Sequence, residues 1–269
     1  MKKLLKLSLL TFLCFTLFSC AGPTSPFGSK EINSVFNLEK IAGQEKLNNA
    51  KVLILGLGGL GSPVAIYLAA AGVKGLTLAD DDTVDISNLQ RQIAHTTDSV
   101  GINKAISAKA SLEKLNPKLE TSLVQHRMNR SELLDLVPSV DLVIDSTDNL
   151  ESRNLINEVC WESKKVLISG AAIRWEGHVS MFDGSISNSP CYRCLYPNDS
   201  EGENMNCSEN GVVSPLVGVV GTIQAMEAIK FITGVGESLV GKVIYYDAKR
   251  SDWQKFNLAK APDCQTCSS

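Results

Sequence analysis

Two rhythms of apolar and polar residues run along this chain. Ahead of Arg174, short apolar runs alternate with longer stretches whose apolar positions recur at helical spacing. Lys51–Leu55, Gly75–Ala79 and residues 122–125, 141–145 and 166–169 have the length and composition of strands, and the run at 141–145 is continuously apolar at its centre. Residues 62–71, Lys104–Leu115, 131–137 and 149–162 read as helices, two of them stopped at Asn116-Pro117 and at Pro138. Such alternation predicts right-handed crossovers and a mainly parallel sheet with helices on both faces. Beyond Arg174 the rhythm changes. Residues 178–182 and Lys242–Asp247 read as strands of an antiparallel extension, separated by a loop at 184–211 and a helix at 217–233. A loop of that length inside a compact domain is usually functional or disordered.

The strand ends carrying Gly56, Asp80 and Asp145 should open on one edge of such a sheet, where doubly wound folds bind ligands. Gly56-Leu57-Gly58-Gly59-Leu60-Gly61 joins a strand to a helix, so bare backbone N–H groups and a helix N-terminus can meet phosphate. An acid after the next strand, Asp80, can accept ribose hydroxyls. A nicotinamide or flavin enzyme would show the same loop. The polar, basic run Ser87-Asn88-Leu89-Gln90-Arg91-Gln92 fits a triphosphate better. Phosphoryl and nucleotidyl transfer depend on positioning and on positive charge. Arg91 offers a planar fork for phosphate oxygens, Asn88 an amide donor and Lys104 a second cation, although Lys104 taken alone also reads as a solvated helix lysine. Asp148, in Asp145-Ser146-Thr147-Asp148-Asn149, would sit near the glycine loop and can hold magnesium, with Thr147 fitting the role of helix cap.

Composition bounds these readings. Hydrophobic content of 44% with 20% charged residues is that of a globular protein, and 269 residues suffice for one large domain. A formal net charge of -3 argues against a general nucleic-acid binder. The N-terminus is different. Lys2, Lys3 and Lys6 precede a nearly unbroken apolar run ending at Phe18-Ser19-Cys20, so residues 1–20 resemble a secretory or lipoprotein signal, followed by a Pro- and Ser-rich linker at 21–34. The run is short for a membrane span, and a membrane partner is expected only if this signal is used.

Four of the eight cysteines form two CxxC pairs, Cys191/Cys194 and Cys264/Cys267. Each pair can present two thiolates, and two pairs complete a closed tetrahedral zinc site of structural type. Cys207, in the long loop, is either an activated sulfur-transfer thiol or an unreactive one. Cys160 falls on the apolar face of a helix, and His95, His126 and His178 show no ligand or triad spacing.

With GLGGLGSP, LADDDTVDISNLQRQ, DSTDN, SGAAIRWEGHVSMF, CYRCLYP, GVVSPLVGVVGTIQAMEAIK and a final CxxC in order from about residue 43 to Cys267, the chain resembles the ThiF/MoeB/HesA family, relatives of the ubiquitin-activating enzymes. The resemblance implies a Rossmann-like α/β adenylyltransferase domain over 35–269, with a nucleotide part at about 50–172 and a carrier-binding, zinc-bearing part at about 173–269. It implies ATP-dependent adenylation of the C-terminal glycine carboxylate of a small ubiquitin-like sulfur carrier ending in Gly-Gly, and a homodimer. It assigns nucleotide binding to Gly56, Gly58, Gly59, Gly61, Asp80, Ser87, Asn88, Leu89, Gln90, Thr147 and Asn149. Arg91, Lys104 and Asp148 become the catalytic set, the last through Mg2+, while Zn2+ falls to the four cysteines. SGAAIRWEGHVSMF resembles the molybdopterin-synthase branch; ADDDTV and DAKRSDWQKFNL lean towards the thiamine-pathway branch, in which Cys207 matches a cysteine that joins the carrier. The balance falls on molybdopterin. The family's arginine-bearing start, resembling RYSRQI, is replaced here by Lys30-Glu31-Ile32-Asn33-Ser34-Val35. That departure, beside the signal-like start, leads to the expectation of a cytoplasmic catalytic body with an anomalous N-terminus. Two alternatives stay open: a catalytically impaired carrier-binding module and a nicotinamide-dependent oxidoreductase.

Overall fold

The computed structural model describes residues 39–197 and 211–268. The signal-like segment 1–20, the linker 21–34, the segment 30–35 and Cys207 lie outside the described residues. Helix α1 (Glu39–Leu47) leads into β1 (Lys51–Leu55), α2 (Gly61–Ala70), β2 (Gly75–Ala79), α3 (Lys104–Leu115), β3 (Glu120–Val124), α4 (Arg130–Leu136), β4 (Leu142–Asp145), α5 (Leu150–Glu162) and β5 (Val166–Ile173). Then follow β6 (Glu176–Asp183), the one-turn helix α6 (Tyr192–Leu195), the long helix α7 (Ser214–Thr233), β7 (Lys242–Asp247) and β8 (Asp252–Asn257).

All eight strands form one sheet in the order β3-β2-β1-β4-β5-β6-β7-β8. Pairings from β3 to β5 are parallel, and those from β5 to β8 antiparallel. Strand β5 therefore belongs to both portions, so the nucleotide part and the carrier part expected from sequence share one sheet. Strand β1 carries the sheet in one direction through β2 and β3, and the chain then returns to its other side as β4. A crevice opens at such a reversal, above the C-terminal ends of β1 and β4.

The period-2 side-chain alternation of a strand explains the two cores. Val52 and Ile54 point to one face, where Leu76, Leu78, Leu142 and Ile144 join residues of α2, α3 and α7. Leu53 and Leu55 point to the other, with Val143 and Leu167 against Leu133 of α4 and Ile156 and Val159 of α5. Burying both faces requires strands without polar interruption, which is why β1 and β4 are legible as apolar runs, whereas β2 is interrupted by the half-buried Thr77. Each such side chain contributes about 1.5–3 kcal/mol relative to exposure. Among the described residues, α7 alone is long and apolar enough to cross a membrane, but it packs on β5, β6 and α2 and buries Gln224 and Glu227.

Several boundaries differ from the sequence expectation. Strand β5 continues past Ser169 through the small residues Gly170, Ala171 and Ala172, and turns into β6 at Arg174, whose φ is 52°. Helix α7 starts at Ser214 rather than 217, because Pro215 suits the first turn of a helix. The loop expected over 184–211 contains α6. Neither α1 nor β8 was expected; every residue of β8 is exposed, so no apolar alternation marks it.

Candidate active site

The glycine loop is set by two backbone demands. Gly56 has φ +86°, a left-handed conformation that a side chain disfavours, and its N–H donates to the Ala79 carbonyl at 2.9 Å. Gly61 begins α2 so close beneath that turn that a Cβ would lie 1.9 Å from the Gly56 carbonyl oxygen. Asp80, at the end of β2, accepts from the Leu57 N–H at 2.6 Å and the Asp82 N–H at 2.9 Å. Burial pushes the Asp80 carboxyl above its usual range, and Lys104 opposes the shift. His95 braces the loop from below, its ring nitrogens 2.9 Å from the Leu57 carbonyl and 2.9 Å from Ser107 Oγ, and burial holds its pKa down.

Gly56, Gly58, Gly59, Asp80, Arg91, Lys104, Thr147, Asp148 and Asn149 line one cleft over the ends of β1 and β4. Arg91 Nη2 donates to Asn88 Oδ1 at 2.8 Å, so Asn88 orients the guanidinium from outside the cleft lining. Lys104 Nζ meets Asp82 Oδ2 at 2.8 Å. Lys104 is only 7% exposed while Asp82 is 69% exposed, so a buried ammonium meets a solvated carboxylate at the cleft. Gly61, Ser87, Leu89 and Gln90 stand outside the lining. Ser87 turns back to Asp85 through its N–H and hydroxyl, and Gln90 accepts from Ser214 Oγ. Sequence reasoning missed Asp82, His126 and Arg127, which also line the cleft, as does Gln92 from the polar run. Arg127 follows β3, and the parallel topology alone places that strand end on the same edge. Gln92 Oε1 is buried in this wall with no partner among the described residues, an acceptor that a bound ligand can satisfy.

The turn after β4 is held internally. Asp145 Oδ1 accepts from the Thr147 N–H at 3.0 Å and Thr147 Oγ1 at 2.7 Å, and Oδ2 accepts from Ser169 Oγ at 2.9 Å. Thr147 is therefore not the helix cap expected from sequence. Asn149 caps α5, its Oδ1 accepting from the Ser152 N–H at 2.9 Å. That leaves Asp148 exposed at the lip of the cleft.

A second, mainly apolar cleft adjoins the first. Ala171, Ala172, Tyr196, Val243, Phe256 and Leu258 contribute to its walls, and Leu60, Thr147 and Asp148 line both clefts. His178 lies in it beside the Tyr196 hydroxyl at 3.2 Å; burial, with Arg153 nearby, pushes its pKa down to about 4.

The four cysteines converge in a cluster of their own, outside both cleft linings. Their Sγ atoms lie within 4.8 Å of one another, with Cys191 and Cys264 at 3.5 Å and Cys194 and Cys267 at 3.4 Å. Ligands about 2.3 Å from a tetrahedral zinc ion sit roughly 3.8 Å apart, so the donor set fits such a metal. Burial pushes the Cys191 thiol up to about 12, so its thiolate form needs a neighbouring cation. The donor set is one that a metal ion can occupy.

Fold and clefts together define the class: a doubly wound α/β protein with a Rossmann-like glycine loop, facing a carboxylate turn across a topological switch. The chain belongs to the ThiF family, whose model matches residues 30–266. It is 46% identical to the molybdopterin-synthase adenylyltransferase of Escherichia coli K12, over 84% of this chain and 90% of that protein. It is 43% identical to the sulfur carrier protein ThiS adenylyltransferase of the same organism, over 84% and 88%. A longer relative, the adenylyltransferase and sulfurtransferase MOCS3 of Dictyostelium discoideum, is 38% identical over 84% of this chain and 54% of its own length. Among solved structures, Escherichia coli MccB with ATP superposes with a TM-score of 0.74 at 28% identity, covering 84% of this chain and 69% of that one. The curated relatives are adenylyltransferases, and the chain is an enzyme of that class.

Proposed function

We propose that the chain adenylates the C-terminal glycine carboxylate of a small ubiquitin-like sulfur carrier with ATP, releasing pyrophosphate. The observation that carries this is the meeting of two clefts at Thr147 and Asp148, one with a glycine loop and cations, the other apolar and floored by Ala171 and Ala172. The first receives ATP, its phosphates against Gly56, Gly58 and Gly59. The second admits an extended, small-residue tail whose carboxylate arrives where the clefts join.

A C-terminal carboxylate has a pKa of about 3.5 and is ionised at neutral pH, so no general base is needed. One of its oxygens attacks the α-phosphorus as the bond to the pyrophosphate oxygen breaks, giving an acyl adenylate and pyrophosphate. Arg91 and Lys104 stabilise the negative charge that builds on the departing phosphates. Asp148 would hold Mg2+, which supplies charge neutralisation across the phosphates. Zn2+ would be held by Cys191, Cys194, Cys264 and Cys267, with no open position for chemistry. Support for the molybdopterin carrier over the thiamine one comes from SGAAIRWEGHVSMF and from 46% against 43% identity to the two relatives. A homodimer belongs to the same proposal.

The test is ATP–pyrophosphate exchange with purified candidate carriers. Carrier-dependent exchange that disappears in Asp148→Ala supports adenylation. Carrier binding with no exchange for any carrier would replace it with a binding module.

A further inference from the structure

Arg153 is a helix arginine whose guanidinium is nevertheless buried, at 7% exposure, between β4, β5 and α6. Its Nη2 donates to the Gly170 carbonyl at 3.0 Å and also to the Thr147 carbonyl, and its guanidinium carbon lies 6.0 Å from the centre of the Tyr192 ring. The charge that balances it is Asp145, 0% exposed, which itself grips Thr147 through both the N–H and the hydroxyl. Thr147 is thus held from both sides: its carbonyl by Arg153, its donors by Asp145. Asp145 is in turn fixed by Ser169 Oγ, and its backbone carbonyl accepts from Gln224 Nε2 at 2.8 Å. The next residue along is Asp148, which lines both clefts and makes no such contacts among the described residues.

We propose that Arg153 is a positioning residue, whose buried guanidinium locks the turn at 146–149 so that Asp148 presents its carboxylate to the junction of the two clefts. The inference rests on the adenylation reading above. Burying opposite charges is a poor source of net stability, because desolvation offsets most of the attraction. What Arg153 supplies is geometry: one guanidinium nitrogen joins the Thr147 carbonyl of the turn to the Gly170 carbonyl of β5, in an orientation that the planar group fixes. Residues that orient a metal-binding carboxylate typically change metal affinity by roughly 10–100-fold when altered.

The experiment measures Mn2+ affinity for the ATP complex of the full chain by electron paramagnetic resonance, and ATP affinity in EDTA by calorimetry, without carrier. Arg153→Lys keeps the charge opposite Asp145 but loses the planar bridge. It is expected to weaken Mn2+ binding about tenfold while metal-free ATP affinity stays within twofold. Val159→Ala, on the other core face of α5, supplies a destabilised control whose Mn2+ affinity should match the wild type. Ser169→Ala, outside both cleft linings, removes one tether on Asp145 and should weaken Mn2+ binding about threefold with the fold intact; it decides alone if Arg153→Lys does not fold. Unchanged Mn2+ affinity in Arg153→Lys, or an equal loss with and without metal, overturns the positioning role. A wild-type chain that binds no metal–ATP complex overturns the adenylation reading instead.

Discussion

Substitution of Gly61 by alanine sets two physical effects against each other. Gly61 is the first residue of α2, and helix propensity alone favours alanine there by up to about 1 kcal/mol. The structure opposes this. The new Cβ would stand 1.9 Å from the Gly56 carbonyl oxygen, a backbone atom that no rotamer change can move. The loop and helix would have to part by roughly 1 Å, and overpacking of that severity costs about 3 kcal/mol. The net loss is about 2 kcal/mol, which lowers the melting temperature by roughly 4–8 °C for a chain of this size. Gly58→Ala is the contrasting case, since its Cβ meets nothing closer than Gln92 Nε2 at 3.5 Å. It should melt with the wild type yet weaken ATP binding by about tenfold or more, because a methyl group fills the phosphate cradle. Thermal unfolding and calorimetric ATP titration on the two variants separate the effects. A Gly61→Ala protein that melts like the wild type, or a Gly58→Ala protein that binds ATP equally well, refutes the reasoning.

Further outcomes follow from other parts of the site. Arg91→Lys should lower kcat for carrier-dependent exchange by on the order of 100-fold, with little change in carrier binding, because an ammonium cannot reproduce the guanidinium fork held by Asn88. Cys264→Ser should abolish stoichiometric metal by elemental analysis and lower the melting temperature. His178 has its pKa depressed from 6.5 to about 4, so the unfolded chain takes up its proton first. Its contribution to stability is present above pH 6.5 and is lost as pH falls towards 4. Denaturant titrations across that range should show the slope, and His178→Gln should reduce it.

What the sequence made legible follows the physics of each element. Strands β1 and β4 announce themselves because both faces are buried, and the CxxC pairs because both ligands of each half lie within one turn. Gly56 and Asp80 are legible for the same reason, being at the ends of apolar runs. The second cleft is not, since its walls come from β5, β6, α6 and the β7–β8 hairpin, segments far apart in the chain. Thr147 reads from sequence as the cap of α5, and the structure gives the cap to Asn149, a choice between two residues of one turn that only backbone geometry settles. Arg153 carries no local mark of burial. Nothing local tells that its helix face meets a buried aspartate at the end of β4.

The cysteine cluster ties residue 191 to residue 264 across 73 positions, and everything between them, α7 and the β7–β8 hairpin included, becomes a closed ring when a metal is bound. A crosslink spanning that length removes about 4 kcal/mol of chain entropy from the unfolded ensemble. The ion would then act chiefly on a state in which neither cleft exists. It would work as a removable staple, one that leaves the chemistry untouched and decides how far the C-terminal part of the sheet can come apart.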